Sequence, residues 1–164
     1  MIIFVKNKYT LQIDEFKFRC CIGAKGSTSW KKEGDKKTPR GIFKIENLYF
    51  RKDRREKPLT SLKCIEIKKN MGWCHDVRFP KKYNRLFKIE QKIKHEKLNR
   101  KDLKYDFLIP IKYNFKKPIT GLGSCIFIHL TKDYKPTAGC VALNEKDFLI
   151  MLKLIKKDSK IKIS

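Results

Sequence analysis

Two stretches, residues 105–113 (YDFLIPIKY) and 124–130 (SCIFIHL), are apolar at nearly every position instead of at alternate ones. A strand that is apolar on both sides has to be covered on both sides, so these runs demand a sheet buried between two layers. They are joined by a turn-rich link containing Pro118, Gly121 and Gly123. The rest of the chain supplies covering elements. Residues 2–13 read as two short strands around an Asn7-Lys8 turn, and 16–24 continue with Phe16, Phe18 and Cys20 alternating. Further short strands fit 42–48, 62–67 and 160–164. After residue 143, Asn144 can cap a helix with Asp147 in its first turn, and Phe148, Met151, Leu152 and Ile155 fall at helical spacing. Lys156 and Lys157 suit its C-terminal end. The expected class is α+β, mainly β, with the helix packed on mixed or antiparallel strands.

The segments between these elements carry fewer signals. Residues 25–41 hold three glycines and a proline without apolar periodicity, which suits a long shaped loop of the kind that often serves function. Residues 49–58 are strongly charged and read as a solvated connection. The mixture at 71–87 reads as a loop lining a pocket, with a plain surface loop that tucks Trp73 inward as its alternative. Residues 88–104 are polar and fit a short helix anchored by Leu98 and Leu103. No repeat and no linker divides the chain, so residues 1–164 are expected to form one domain.

Forty-one Lys and Arg against seventeen Asp and Glu leave a formal charge of +24, so any partner is expected to be anionic. The basic residues are spread through nearly every segment and most are Lys, which favours weak, non-specific binding to anionic polymers over a dedicated nucleic-acid site. A basic nucleic-acid-binding module is the competing reading from another class. Six cysteines include no CxxC pair, and the adjacent Cys20 and Cys21 point to opposite faces of a strand. The four apolar residues after Met1 fall far short of a signal peptide or a spanning helix, so no transmembrane segment is expected.

Chemistry concentrates in residues 124–143 (SCIFIHLTKDYKPTAGCVAL). His129 ends an apolar run, and eleven positions later Cys140 follows Gly139 at a tight turn. A thiol becomes an effective nucleophile when a neighbouring base takes its proton, and His129 is placed to do so. Ala138 and Gly139 leave room for a carbonyl, and backbone N–H groups of the turn can bind an oxyanion. The bland alternative is a buried apolar Cys and a core His with its hydrogen bonds satisfied. Cys20, Cys21, Cys64 and Cys125 lie in apolar runs and fit a core better. A zinc site from Cys64, Cys74 and His75 lacks paired ligand spacing.

The run IFIHL followed by PTAGCVAL resembles the signature of the L,D-transpeptidase catalytic domain (YkuD) family. So do KKEGDKKTPRGIFKI (31–45), GWCHD (72–76), YNR (83–85) and GLGSCIFIHL (121–130), in family order from about residue 20 onward. The resemblance implies a mixed β-sheet or sandwich domain with a helix after the catalytic Cys. It makes Cys140 the nucleophile, His129 the general base and Gly139 the residue that shapes the turn, with no metal and no cofactor. Many members read S-H-G-C-x-R, whereas this chain has Thr137, Ala138, Gly139, Cys140, Val141 and Ala142. The trailing Arg that helps hold substrate is absent, and Arg85 or another basic residue has to replace it. Tyr83, Asn84 and Arg85 are the candidates for orienting a stem peptide, and Trp73 for an apolar wall. Glu33, Asp35 and Thr38 are expected to fix the long loop by local hydrogen bonds.

The implied substrate is a peptidoglycan stem, which implies work in the periplasm or cell envelope. Cross-linking to an amine, or hydrolysis as an L,D-carboxypeptidase, would follow from the same thioester. A non-catalytic cell-wall-binding protein keeps the fold without the reaction.

Overall fold

A computed structural model describes residues 1–164. The chain opens with strands β1 (Ile2–Asn7), β2 (Thr10–Ile13) and β3 (Phe16–Arg19), then a two-residue ladder of β4 (Ser27–Thr28) on β5 (Thr38–Pro39), then β6 (Gly41–Lys44), β7 (Leu48–Phe50) and β8 (Cys64–Glu66). The middle carries β9 (Met71–Cys74), β10 (Leu86–Lys88), β11 (His95–Lys97) and β12 (Phe107–Pro110). The last part holds β13 (Phe127–Leu130), β14 (Val141–Leu143), the helix α1 (Glu145–Leu154) and β15 (Lys160–Ile163). The class is α+β and mainly β, as expected.

Three sheets stack in sequence. The outer sheet has strand order β3-β2-β1-β15-β6, the central one β14-β13-β12-β7-β8, and the small one β10-β9-β11. Every residue of β7, β12, β13 and β14 is buried, because the central sheet is covered on both faces. Ile128, Leu130, Val141 and Leu143 join Ile3, Val5, Leu11 and Ile161 of the outer sheet in the main core. Tyr49, Leu108, Phe127 and Cys140 meet Trp73 and Leu98 on the other side. The helix seals the main core with Phe148, Met151 and Leu152, and Asn144 caps it by accepting the Asp147 N–H at 2.8 Å. It is too short and too polar to cross a membrane, and no other helix exists that could.

Several sequence expectations are corrected. Residues 71–87 and 88–104 contain no helix and are not simply loop: they form the small three-stranded sheet, antiparallel throughout. The polar character of 88–104 reflects a covering layer exposed on its outer side, while Leu98 anchors it fully buried. The stretch expected as a solvated connection begins with Tyr49 and Phe50, which are buried strand residues. Arg51 is buried as well, its guanidinium held by Asp53 and the Arg100 carbonyl. Here a local run of charge hid a strand, because tertiary pairing partners offset the desolvation of the charges.

Candidate active site

The central sheet places the two candidate reactive side chains. β13 and β14 run parallel, with His129 opposite Ala142 and Ile128 opposite Val141. Strand alternation therefore puts Phe127, His129, Cys140 and Ala142 on one face, the face turned toward the small sheet. Neighbouring strands lie about 4.8 Å apart and two residues span about 6.6 Å, which sets Cys140 diagonally across from His129 within side-chain reach. Ala142 matters for the same reason, since a larger residue there would stand directly beside the imidazole.

Both groups line one cavity of about 720 Å³. The thiol of Cys140 donates to the Cys125 carbonyl at 3.2 Å and accepts the Phe127 N–H at 3.4 Å. Burial pushes this thiol up to about 12, although the Phe127 N–H works in the opposite direction. His129 Nδ1 lies 2.8 Å from the Leu130 carbonyl oxygen, which can only accept. Nδ1 therefore carries the proton and Nε2 is left as the basic nitrogen. Burial brings this imidazole down to about 4, and Lys104 and Arg100 push the same way. At neutral pH the pair rests as a neutral thiol and a neutral imidazole. The Tyr105 and His129 rings meet edge to face with centroids 5.4 Å apart, which restrains the imidazole plane.

The turn before Cys140 is braced from both sides. Thr137 Oγ1 donates to the Cys140 carbonyl at 2.7 Å and accepts the Gly139 N–H at 3.0 Å. Gly139 has φ +147°, and a Cβ there would come within 2.9 Å of the Lys37 carbonyl oxygen. The Cys140 N–H has no hydrogen-bond partner within the chain, so it can face an oxyanion.

Tyr83, Asn84, Arg85 and Trp73, expected to hold substrate, do not line this cavity. Asn84 is buried and saturated: Oδ1 accepts from Trp73 Nε1 and the Cys125 N–H, while Nδ2 donates to the Tyr113 and Asn114 carbonyls. Trp73 is buried and meets the Phe127 ring edge to face, on the small-sheet side of the strand that bears His129. Tyr83 is fully buried and its hydroxyl donates to Glu33. Arg85 is exposed and bonds only the Lys116 carbonyl. Tyr83, Asn84 and Trp73 brace the wall, because their polar groups are spent on the protein itself, whereas Arg85 stands outside it. Cys125, expected in the core, instead lines the cavity with a positive φ of 55°.

The cavity's own cations are Lys31, Arg100, Lys104 and Lys135. Lys31 is paired with Asp35, Arg100 with Glu96 and Asp102, and Lys135 with Asp133. Lys104 has no such partner, and its carbonyl accepts the Leu130 N–H, which places it beside His129. Sequence reading missed Arg100 and Lys104 because they lie in the stretch taken for a helix. Of the three residues assigned to the long loop, Asp35 does fix it, accepting the Lys32 and Lys37 N–H groups, and Thr38 accepts the Gly23 N–H. Glu33 instead reaches Tyr83 and Ser124, far away in sequence. No group of three or more His, Cys, Asp or Glu side chains has a metal-holding arrangement.

The family model of the L,D-transpeptidase catalytic domain (YkuD) matches residues 1–163. No curated protein and no solved structure matches the chain.

Proposed function

Because the chain belongs to the L,D-transpeptidase catalytic domain family, which acts on peptidoglycan peptide stems, we propose that it transfers acyl groups between such stems through Cys140. The observation that carries this reading is the placement of Cys140 and His129 on one face of adjacent parallel strands, opening on a shared cavity. The thiol turns from the Cys125 carbonyl toward His129 Nε2, which takes its proton as sulfur attacks the carbonyl between the diamino-acid residue and the terminal D-alanine. The Cys140 N–H steadies the oxyanion. The C–N bond then breaks, His129 returns the proton to the leaving amine, and D-alanine departs to leave a thioester. An incoming stem amine gives its proton to His129, attacks the thioester and displaces the sulfur, forming a cross-link. Water in place of the amine makes the same site an L,D-carboxypeptidase.

Since Ala142 stands where many relatives carry Arg, the unpaired Lys104 supplies the cation for a stem carboxylate, at the edge of the cavity next to His129. This chemistry belongs in the periplasm or cell envelope, where its substrate lies. The test follows D-alanine release and intact protein mass on a tetrapeptide stem. The wild type accumulates a single adduct, Cys140→Ala forms none, and His129→Ala folds but acylates at least about a hundredfold more slowly. Unchanged turnover in Cys140→Ala would overturn the assignment.

A further inference from the structure

Three carboxylates line the cavity that holds the nucleophile, and two of them are neutralised. Glu96 meets Arg100 at 3.0 Å and also takes the Tyr105 hydroxyl, and Asp133 meets Lys135 at 3.2 Å. Glu33 has no basic side chain within ion-pair distance, even though the chain carries 41 Lys and Arg. Its nearest cationic neighbour in sequence that shares the cavity, Lys31, is occupied by Asp35 at 2.6 Å and the Lys32 carbonyl at 2.8 Å.

Glu33 is nevertheless held firmly. Its N–H donates to the Gly121 carbonyl at 2.8 Å, and its Oε2 accepts both the buried Tyr83 hydroxyl and Ser124 Oγ, the latter at 2.6 Å. Both donors converge on Oε2, so Oε1 takes no hydrogen bond within the chain. Ser124 directly precedes Cys125, whose carbonyl receives the Cys140 thiol. The carboxylate is thus tied, through one serine and one peptide unit, to the wall against which the nucleophile rests.

A fixed carboxylate with one free oxygen and no cation, in the cavity that holds the nucleophile, is built to receive a cation from outside. We infer that Glu33 is a specificity-determining residue that binds an ammonium group of the stem peptide through Oε1, positioned by Tyr83 and Ser124. This inference rests on the proposed stem substrate. That substrate offers ammonium groups from two sources, the second amine of the donor's diamino-acid residue and the amine of the acceptor. It also explains why Tyr83, which never reaches the cavity, belongs to the site: it acts through Glu33.

The test has two arms. In the first, Cys140→Ala protein is titrated calorimetrically with a tetrapeptide stem bearing a free side-chain amine and with its N-acetylated counterpart, with and without Glu33→Gln. In the second, acylation rate and the partition of the thioester between an amine acceptor and water are measured for wild type and Glu33→Gln. Glutamine keeps an oxygen for Tyr83 and Ser124 and removes only the charge. Recognition of the donor shows as a preference of about tenfold or more for the free amine, abolished in Glu33→Gln. Recognition of the acceptor shows as an unchanged acylation rate with transfer falling about tenfold relative to hydrolysis. Glu33→Asp restores part of whichever effect appears. If Glu33→Gln changes neither arm, the inference is wrong. Should Glu33→Gln melt lower, Tyr83→Phe with Ser124→Ala loosens the carboxylate but leaves its charge: discrimination abolished in Glu33→Gln and weakened in the double variant upholds the inference, and discrimination unchanged in the double variant overturns the positioning by Tyr83 and Ser124. Absence of any adduct on wild-type Cys140 overturns the proposed reaction instead, and the calorimetric arm still reads Glu33.

Discussion

The Cys140 thiol donates to the Cys125 carbonyl at 3.2 Å and makes no hydrogen bond to His129. With burial raising the thiol to about 12 and lowering the imidazole to about 4, the resting pair is uncharged, and proton transfer has to accompany attack. Acylation is therefore expected to hold a plateau across neutral pH and to fall on the acid side as His129 protonates near pH 4. Alkylation of Cys140 by iodoacetamide at pH 7 is expected to be slow, because little thiolate exists there. Adduct mass followed against pH checks both, and fast neutral alkylation would show a thiolate–imidazolium pair instead.

Burial of a neutral His129 also links stability to pH. Its folded-state value of about 4 lies below the ordinary 6.5, so the unfolded chain binds the extra proton first as pH falls. The contribution is fully present above pH 6.5 and is lost as pH falls toward 4. The loss is on the order of 3 kcal/mol. His129→Gln is expected to lose less stability than wild type between pH 7 and pH 4.5 in denaturant titrations; equal losses would place the effect elsewhere.

Gly139→Ala adds a Cβ 2.9 Å from the Lys37 carbonyl oxygen and 3.3 Å from Ile126 Cδ1, at a φ that L residues rarely adopt. Strain of about 1–3 kcal/mol is expected, with the turn displaced and acylation reduced by more than about tenfold. Melting temperature and acyl-enzyme mass read the two effects separately.

Thr137→Val removes both hydrogen bonds that brace the Gly139-Cys140 turn. About 1–3 kcal/mol of stability should be lost, with slower acylation. Thr137→Ser keeps the hydroxyl and should recover most of the rate; a valine variant as fast and as stable as wild type would mean that the hydrogen bonds do not brace the turn.

Asn84→Ala leaves two buried N–H donors and two carbonyls without their partner. The expected loss is about 3 kcal/mol or more in chemical denaturation. Arg85→Ala, at an exposed position, should leave both stability and donor KM within about twofold. A large rise in KM for Arg85→Ala would restore it as a substrate residue.

The candidate pair was legible in the chain because both members sit inside short, strongly marked stretches. An apolar run ending at His129 and a glycine before Cys140 are local signals. Asn144, Phe148, Met151 and Leu152 marked the helix for the same reason, since capping and the 3.6-residue period are local. The small sheet was illegible. Its strands are three or four residues long, the flanking two end in exposed lysines, and the sheet is held where Trp73 and Leu98 are buried in one cluster with Phe127 and Leu108. A short strand of that kind has no period long enough to read.

By itself, the sequence determined an α+β chain with doubly buried strands and the family of the domain, and it singled out one thiol and one imidazole as candidates. Only the tertiary structure decided which residues surround them. Tyr83, Asn84 and Trp73 lie in matching motifs, yet burial spends their polar groups on the scaffold. Glu33, Arg100 and Lys104 reach the cavity from separate segments. Sequence spacing sets which side chains share a strand face, whereas the stacking of one sheet on another sets which of those faces meet, and the cavity exists only where they do.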